Sequence, residues 1–217
     1  MSIKNGVYPD SLKFARVSPI HKKGDIDDPN NYRPLSVMSL INKIFEKIIH
    51  KRLYNFLTKY NIIYKYQFVF REGYSTTHAL VELIDRVKDA TDKKLLTCGI
   101  FVDLSKAFDT VDDKILLDKL SHYGIRGNVL NLFTSYLSNR KQYVRVNNVD
   151  SEQRTITCGV PQGSVLGPLL FLLYVNDLAN CCPEVFFRIF ADDTGIFSHF
   201  KDISTITTMV EKNYKRY

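Results

Sequence analysis

Apolar residues recur at helical spacing along much of the chain. Between residues 41 and 57 basic side chains lie between them, which predicts a helix with one packed face and one basic face. Ser75 is the predicted N-cap of the second helix, and Gly124 is the predicted end of the third. Pro168 belongs early in the fifth helix or at a kink in it. Helices are predicted at residues 41–57, 75–87, 115–123, 129–137, 164–178 and 203–217.

Shorter apolar and alternating runs predict strands between these helices. The run at residues 95–102 is almost continuously apolar, which is typical of a buried strand, whereas residues 21–31 are polar and rich in turn formers. Strands are predicted at residues 14–20, 95–102, 143–146, 155–157, 186–190 and 195–200, the last two as a hairpin. Strands mixed with helices in this order indicate an α+β fold and not a doubly wound parallel sheet.

Three aspartates lie where apolar runs end. Asp103 ends the apolar run of residues 99–103, and Asp192 and Asp193 form the tip of the predicted hairpin. An unpaired carboxylate beside buried strands is costly, and a divalent cation offsets that cost; oxygen ligands favour magnesium or manganese. Any one aspartate could equally be a helix cap or turn residue, which explains Asp109 or Asp112 well but explains an Asp-Asp pair at an apolar hairpin poorly.

Composition and charge narrow the class of protein. The 217 residues carry 30 basic and 23 acidic side chains, a formal charge of +7, which suits a partner made of phosphates. The four cysteines lack zinc-site spacing and are interpreted as reduced thiols of an intracellular protein, in the nucleus or the cytoplasm. The opening residues lack the apolar core of a secretion signal, and the longest apolar stretch is too short to span a bilayer, so no membrane role is predicted.

Five boxes resemble the motifs of reverse transcriptases, in the same order. Residues 190–193 are similar to the aromatic-x-Asp-Asp box, Asp103 with Phe108 to the companion palm motif, and residues 159–171 to the segment between them. Residues 31–36 and 67–76 are similar to the fingers motifs. Together they most resemble the polymerase domain of non-LTR retrotransposons.

This resemblance implies a right-hand polymerase with palm and fingers, about residues 1–95 and 127–158 being mainly fingers and about 96–126 and 159–217 mainly palm. The chain ends soon after the Asp-Asp hairpin, so the expectation is a truncated domain whose thumb is missing. The implied reaction is attack of a DNA primer 3′-hydroxyl on the α-phosphate of a deoxynucleoside triphosphate, directed by an RNA template. The oligomeric state is not indicated.

The resemblance also implies roles for individual residues. Asp103 and Asp192 would hold two magnesium or manganese ions, and Asp193 would ligate or orient one of them. Phe108 would lie under the sugar of the incoming nucleotide and exclude a 2′-hydroxyl, and Gln162 would contact the template–nucleotide pair.

The triphosphate would be held by Arg33, with Lys22 or Lys23 from the preceding loop. Each of these roles has a structural alternative: Phe108 as a core aromatic, Gln162 as part of a common glycine turn, and both lysines as solvated loop charges.

One position departs from the family pattern. Val69 stands where the family usually has glycine, and a β-branched residue would be strained there by about 1–3 kcal/mol if the backbone φ were positive.

Alternative functions also follow from the sequence. One is a catalytically inactive nucleic-acid-binding remnant of such an element, and a narrower one is a polymerase of the group II intron or telomerase type. The tripeptide Asp193-Thr194-Gly195 also occurs in aspartic proteases, but those need two copies, and this chain has one.

Overall fold

The computed structural model describes residues 2–205, whose elements are numbered here in chain order. Within this range the helices are Ser2–Asn5 (α1), Leu40–Lys59 (α2), Thr76–Asp92 (α3), Asp113–His122 (α4), Asn128–Leu137 (α5) and Gly167–Val175 (α6). The strands are Phe14–His21 (β1), Tyr32–Val37 (β2), Leu96–Asp103 (β3), Lys141–Val146 (β4), Val149–Asp150 (β5), Arg154–Thr155 (β6), Phe186–Phe190 (β7) and Asp193–Phe200 (β8). Residues 206–217 of the predicted last helix lie outside the described residues.

The chain divides into two compact units. The first unit comprises Met1–Ile63 with Lys106–Val175, and the second comprises Tyr64–Ser105 with Asn176–Tyr217. These boundaries differ from the predicted fingers and palm ranges, which stay a prediction. Mixed strands and helices in both units confirm the α+β class.

The first unit is built on a sheet with the strand order β2-β1-β4-β5, and β6 also pairs with β4. Strand β1 is antiparallel to β2 and parallel to β4. Strand β2 was not among the predicted strands, and its Pro34 cannot donate a ladder hydrogen bond. In the structure β2 is an edge strand, where proline is tolerated, and Pro34 lies opposite Pro19.

Helix α6 forms the centre of the first unit's core. Its residues 169–173 are at most 1% exposed, and α4 contributes the buried Leu116 and Leu120. Pro168 is its second residue, which agrees with the predicted place early in the helix, where a missing N–H is harmless. An all-round apolar sequence is therefore explained by burial on every side.

Helix α2 buries only part of the predicted apolar face. Its buried residues are Asn42, Glu46, Ile49, Leu53 and Leu57, which follow one another at steps of three or four. The apolar residues of its first half lie outside: the exposed fractions of Leu40, Ile41 and Ile44 are 73%, 70% and 52%. The prediction that Ile41, Ile44 and Ile48 pack inward was wrong because two polar side chains occupy the buried stripe instead.

The second unit contains an antiparallel sheet with the strand order β3-β8-β7. Phe187, Ile189 and Phe197 are buried, but β3 lies at the sheet edge and Phe101 is 75% exposed. The strand itself was predicted, whereas its burial was wrong, since a short apolar run does not tell an edge strand from a central one. No helix within residues 2–205 has both the length and the apolar character needed to cross a bilayer.

Candidate functional site

The hairpin of β7 and β8 presents two of the three predicted aspartates. Phe190 pairs with Asp193, so Ala191 and Asp192 form a two-residue turn. Ala191 has a φ of 56° and Asp192 does not have a positive φ, as in a type II′ turn. Glycine is the usual residue at this first turn position, so Ala191 is held in a conformation that costs about 1–2 kcal/mol. Ala191, next to the Asp-Asp pair, is thus one of several non-glycine residues with a positive φ.

The third aspartate is brought to the same place by strand pairing. Asp103 is the last residue of β3 and lies directly opposite Asp193 in the β3–β8 register. The Leu104 backbone N–H donates to the Asp192 carbonyl oxygen at 3.2 Å and continues the ladder past this pair. Opposed residues of antiparallel strands have Cβ atoms about 4.5–5.5 Å apart. Asp103 and the Asp192–Asp193 pair, about ninety residues apart in sequence, therefore lie at the same end of one sheet.

The chemistry of this donor set fits a hard divalent cation, since all three side chains offer carboxylate oxygens. Like charges directly opposite each other destabilise a strand pair, and a cation between them offsets that repulsion. Among residues 2–205 the side chains of His, Cys, Asp and Glu are nowhere gathered, three or more together, as a metal site requires. The backbone register thus aligns the aspartates, but the geometry of a metal site is not formed.

Gln162 lies in a tightly held loop of the first unit. The side-chain Nε2 of Gln162 donates to both carboxylate oxygens of Asp109, at 3.1 and 3.0 Å. The backbone carbonyl oxygen of Gln162 accepts from the Ser36 backbone N–H at 2.7 Å. A Cβ added to Gly159 would lie 2.7 Å from the Asp109 carbonyl oxygen, and one added to Gly163 would lie 2.7 Å from that of Ser36. Gly159 and Gly163 therefore allow close approach of neighbouring backbone of the same unit.

Phe108 also lies in the first unit. Its half-buried ring stacks on the ring of Phe171 in α6, with centroids 4.5 Å apart. The contact with Phe171 supports the alternative that Phe108 is a core aromatic residue. The role of Phe108 under the nucleotide sugar stays a prediction.

The three predicted triphosphate ligands share one hairpin of the first unit. Lys22 and Lys23 follow β1, and Arg33 lies in β2 opposite Ile20. The Lys22 backbone N–H donates to the Asn31 carbonyl oxygen at 2.8 Å, which closes the intervening loop. All three side chains are exposed, so the hairpin concentrates three cations that remain accessible to an anion.

Glu46 is a functional candidate that the sequence analysis missed. Its side chain is fully buried, and its Oε2 accepts from the backbone N–H groups of Val165 and Leu166 at 2.6 and 3.2 Å, just ahead of α6. Its Oε1 accepts from Tyr136 Oη at 3.2 Å and from Asn42 Nδ2 at 3.1 Å. Burial and the Glu46 charge raise the pKa of Tyr136 well above its ordinary value, so the phenol stays a donor. An acidic residue at a core position of a helical stripe was the signal available in the sequence.

Arg71 is a second residue whose role only the structure reveals. Its Nη1 donates to the carbonyl oxygens of Tyr64, Lys65 and Gln67 at 3.1–3.2 Å, and its guanidinium lies 3.9 Å from the centroid of the Tyr74 ring. Arg71 therefore stabilises the backbone of the segment to which it belongs, the fingers-like box at residues 67–76.

The backbone strain expected at Val69 is absent from the structure. Val69 does not have a positive φ; the residue after it, Phe70, does, at 54°. The tripeptide Asp193-Thr194-Gly195 lies in strand β8, an extended segment and not the loop from which an aspartic protease presents its carboxylate.

Sequence comparison decides the family. The model described as "Reverse transcriptase (RNA-dependent DNA polymerase)" matches residues 20–217. The chain belongs to the reverse transcriptase family. The predicted resemblance to the polymerase domain of non-LTR retrotransposons is confirmed by relatives from mobile elements.

Two of these relatives come from Drosophila melanogaster. The chain is similar to the probable RNA-directed DNA polymerase from transposon BS, with 36% identity over 82% of this chain and 20% of that protein. It is also similar to the RNA-directed DNA polymerase from mobile element jockey, with 31% identity over 95% of this chain and 23% of that protein. This reverse transcriptase chain therefore spans about a fifth of the length of the curated relatives it matches.

Solved structures agree with the fold. The structure of apo telomerase from Candida tropicalis matches 95% of this chain and 42% of its own, with a TM-score of 0.65 and 11% identity. A second structure of that telomerase, truncated from its C-terminal domain, gives a TM-score of 0.62 over 95% of this chain and 47% of its own, with 12% identity. The reverse transcriptase fold with palm and fingers is thereby confirmed.

Proposed function

We propose that this chain carries the catalytic centre of an RNA-directed DNA polymerase of a non-LTR retrotransposon. It adds a deoxynucleotide from its triphosphate to the 3′-hydroxyl of a DNA primer, directed by an RNA template. One observation carries the proposal: the register of β3, β8 and the turn between β7 and β8 places Asp103 beside Asp192 and Asp193. Membership of the reverse transcriptase family supports it.

Members of this family generally use divalent metal ions. In the proposed centre Asp103 and Asp192 would hold two magnesium or manganese ions, and Asp193 would ligate or orient one of them. When bound, such ions favour deprotonation of the primer hydroxyl and offset the charge that develops on the phosphates. The carboxylates themselves contribute position, because paired strands on both sides fix their backbone.

Further proposed roles concern binding of the substrate. Arg33, with Lys22 or Lys23, binds the triphosphate, which the exposure of all three cations permits. Phe108 excludes a 2′-hydroxyl from the incoming nucleotide, and Gln162 contacts the template–nucleotide pair.

Further proposals concern the chain's organisation and its place in the cell. About residues 1–95 and 127–158 belong mainly to the fingers, and about 96–126 and 159–217 mainly to the palm. The protein acts inside the cell, in the nucleus or the cytoplasm.

Primer extension on an RNA template with a DNA primer tests the proposal. The reaction is run at low salt with magnesium or manganese, because phosphate contacts weaken as salt rises. Asp103→Asn and Asp192→Asn are expected to abolish extension, whereas Asp118→Asn, an exposed aspartate on α4, leaves it unchanged. Extension that survives Asp192→Asn would contradict the assigned centre.

The inactive remnant makes a different prediction for the same protein. Folded chain that binds template and primer but extends neither with magnesium nor with manganese would identify a nucleic-acid-binding remnant. Template preference separates the narrower alternatives, since telomerase-type and intron-type polymerases differ in the RNA that they copy.

A further inference from the structure

Asp109, the residue after Phe108, has no role in the proposed chemistry, yet it makes the most specific polar contact in the Gln162 loop. Both of its carboxylate oxygens accept from Gln162 Nε2, at 3.1 and 3.0 Å. A carboxylate only accepts hydrogen bonds when ionised, so the amide nitrogen and not the amide oxygen must face it. The amide orientation of Gln162 is therefore dictated by chemistry, and Oε1 points away from Asp109.

The backbone on both sides of this contact is fixed independently. The Val160 N–H donates to the Phe108 carbonyl oxygen at 2.8 Å, and the Gly159 N–H donates to that of Val111 at 2.7 Å. These bonds join the segment that carries Asp109 to the segment that carries Gln162. The Gln162 side chain keeps its own torsions, and the hydrogen bonds to Asp109 hold the amide at its end.

We propose that Asp109 is a positioning residue that makes Gln162 present its side-chain oxygen, Oε1, to the substrate. The group that Gln162 meets on the nucleotide or the template is then a hydrogen-bond donor, an N–H or O–H. Without Asp109 the amide turns over freely and offers its NH2 group half of the time. This inference rests on the proposed polymerase function, since it deepens the role of Gln162 there.

A kinetic cycle separates positioning from a structural role. Asp109→Ala is expected to raise the KM for the nucleotide about three- to tenfold with a smaller change in kcat, as expected when a charge-assisted hydrogen bond that orients a ligand contact is lost. Asp109→Asn offers Gln162 either an acceptor or a donor, so it no longer dictates the amide orientation and is expected to recover only part of the affinity. In the Gln162→Ala background Asp109→Ala should change nothing further; a further rise in KM there would overturn the proposal.

A second measurement does not depend on activity. In two-dimensional NMR spectra the side-chain NH2 signals of Gln162 are identified by their loss in Gln162→Ala. Asp109→Ala is expected to shift them and to speed their hydrogen exchange, while Asp118→Ala leaves them in place. Unchanged signals would overturn the proposal. If the signals respond but the unaltered chain extends no primer, the proposed function fails and the positioning contact stands.

Discussion

Glu46 offers the sharpest test of how the first unit is held together. Glu46→Ala removes the acceptor from four buried donors: two backbone N–H groups of the segment before α6, the Tyr136 hydroxyl and the Asn42 amide. Each buried donor left unpaired costs about 1–3 kcal/mol, but removing a buried charge recovers part of this sum. The unpaired donors outweigh that gain, and we expect a net loss of about 3–5 kcal/mol.

Glu46→Gln has the same shape and tests the same contact more gently. The backbone N–H groups of Val165 and Leu166 can only donate, so the amide oxygen must face them, and the NH2 group then faces Tyr136 and Asn42. The Tyr136 hydroxyl can turn to accept, whereas the Asn42 Nδ2 cannot without flipping its amide. The expected loss is about 1–3 kcal/mol, the cost of one pairing.

Urea denaturation of both variants measures these losses, beside Glu152→Gln at an exposed position. The control is expected to stay within about 0.5 kcal/mol of the unaltered chain. Hydrogen exchange at the Val165 and Leu166 amides should accelerate in Glu46→Gln and not in the control. A variant as stable as the control, with unchanged exchange at both amides, would refute the assignment of Glu46 as the anchor of this loop.

Three further predictions concern single positions. Burial, and then the charge of Asp112, raise the pKa of Asp113 to about 6. Ionisation of Asp113 therefore removes stability as the pH rises from about 4 to 6. In denaturation curves Asp113→Asn should stabilise the chain at pH 7 and not at pH 4. Ala191→Val should lower the free energy of unfolding by about 1–3 kcal/mol, whereas Ala191→Gly should be tolerated, because the φ is positive. Val69→Gly should not stabilise the chain, since the positive φ belongs to Phe70; a thermal melt raised by Val69→Gly would contradict this.

Much of the fold could be predicted because local signals and tertiary structure agree. Ser75 caps α3 by accepting from the His78 N–H, and Gly124 follows α4 with a φ of 92°. Both are short-range effects that depend on neighbouring residues alone. Burial was less predictable, because it depends on what packs nearby: β3 lies at an edge, and α2 exposes Ile41, Ile44 and Ile48.

In the candidate site, too, some features could be predicted from the sequence and others could not. The three aspartates could be predicted from apolar runs and from the family resemblance, and the register aligns them. The contacts of Gln162 with Asp109 and of Glu46 with the segment before α6 could not, because they join residues 53 and 119 positions apart. No periodicity or turn rule connects such positions.

Exact strand register gives this hairpin an uneven tolerance of sequence change. Side chains alternate between the faces of a strand, so deletion of a single residue from β8 would turn every later side chain to the opposite face or move Asp193 away from Asp103. Point substitutions on the exposed side of β3 would leave that alignment in place. Among related sequences that no longer need the activity, a one-residue deletion between Phe186 and Phe200 should therefore destroy the centre at once. A single substitution on the exposed side of β3 should leave it in place.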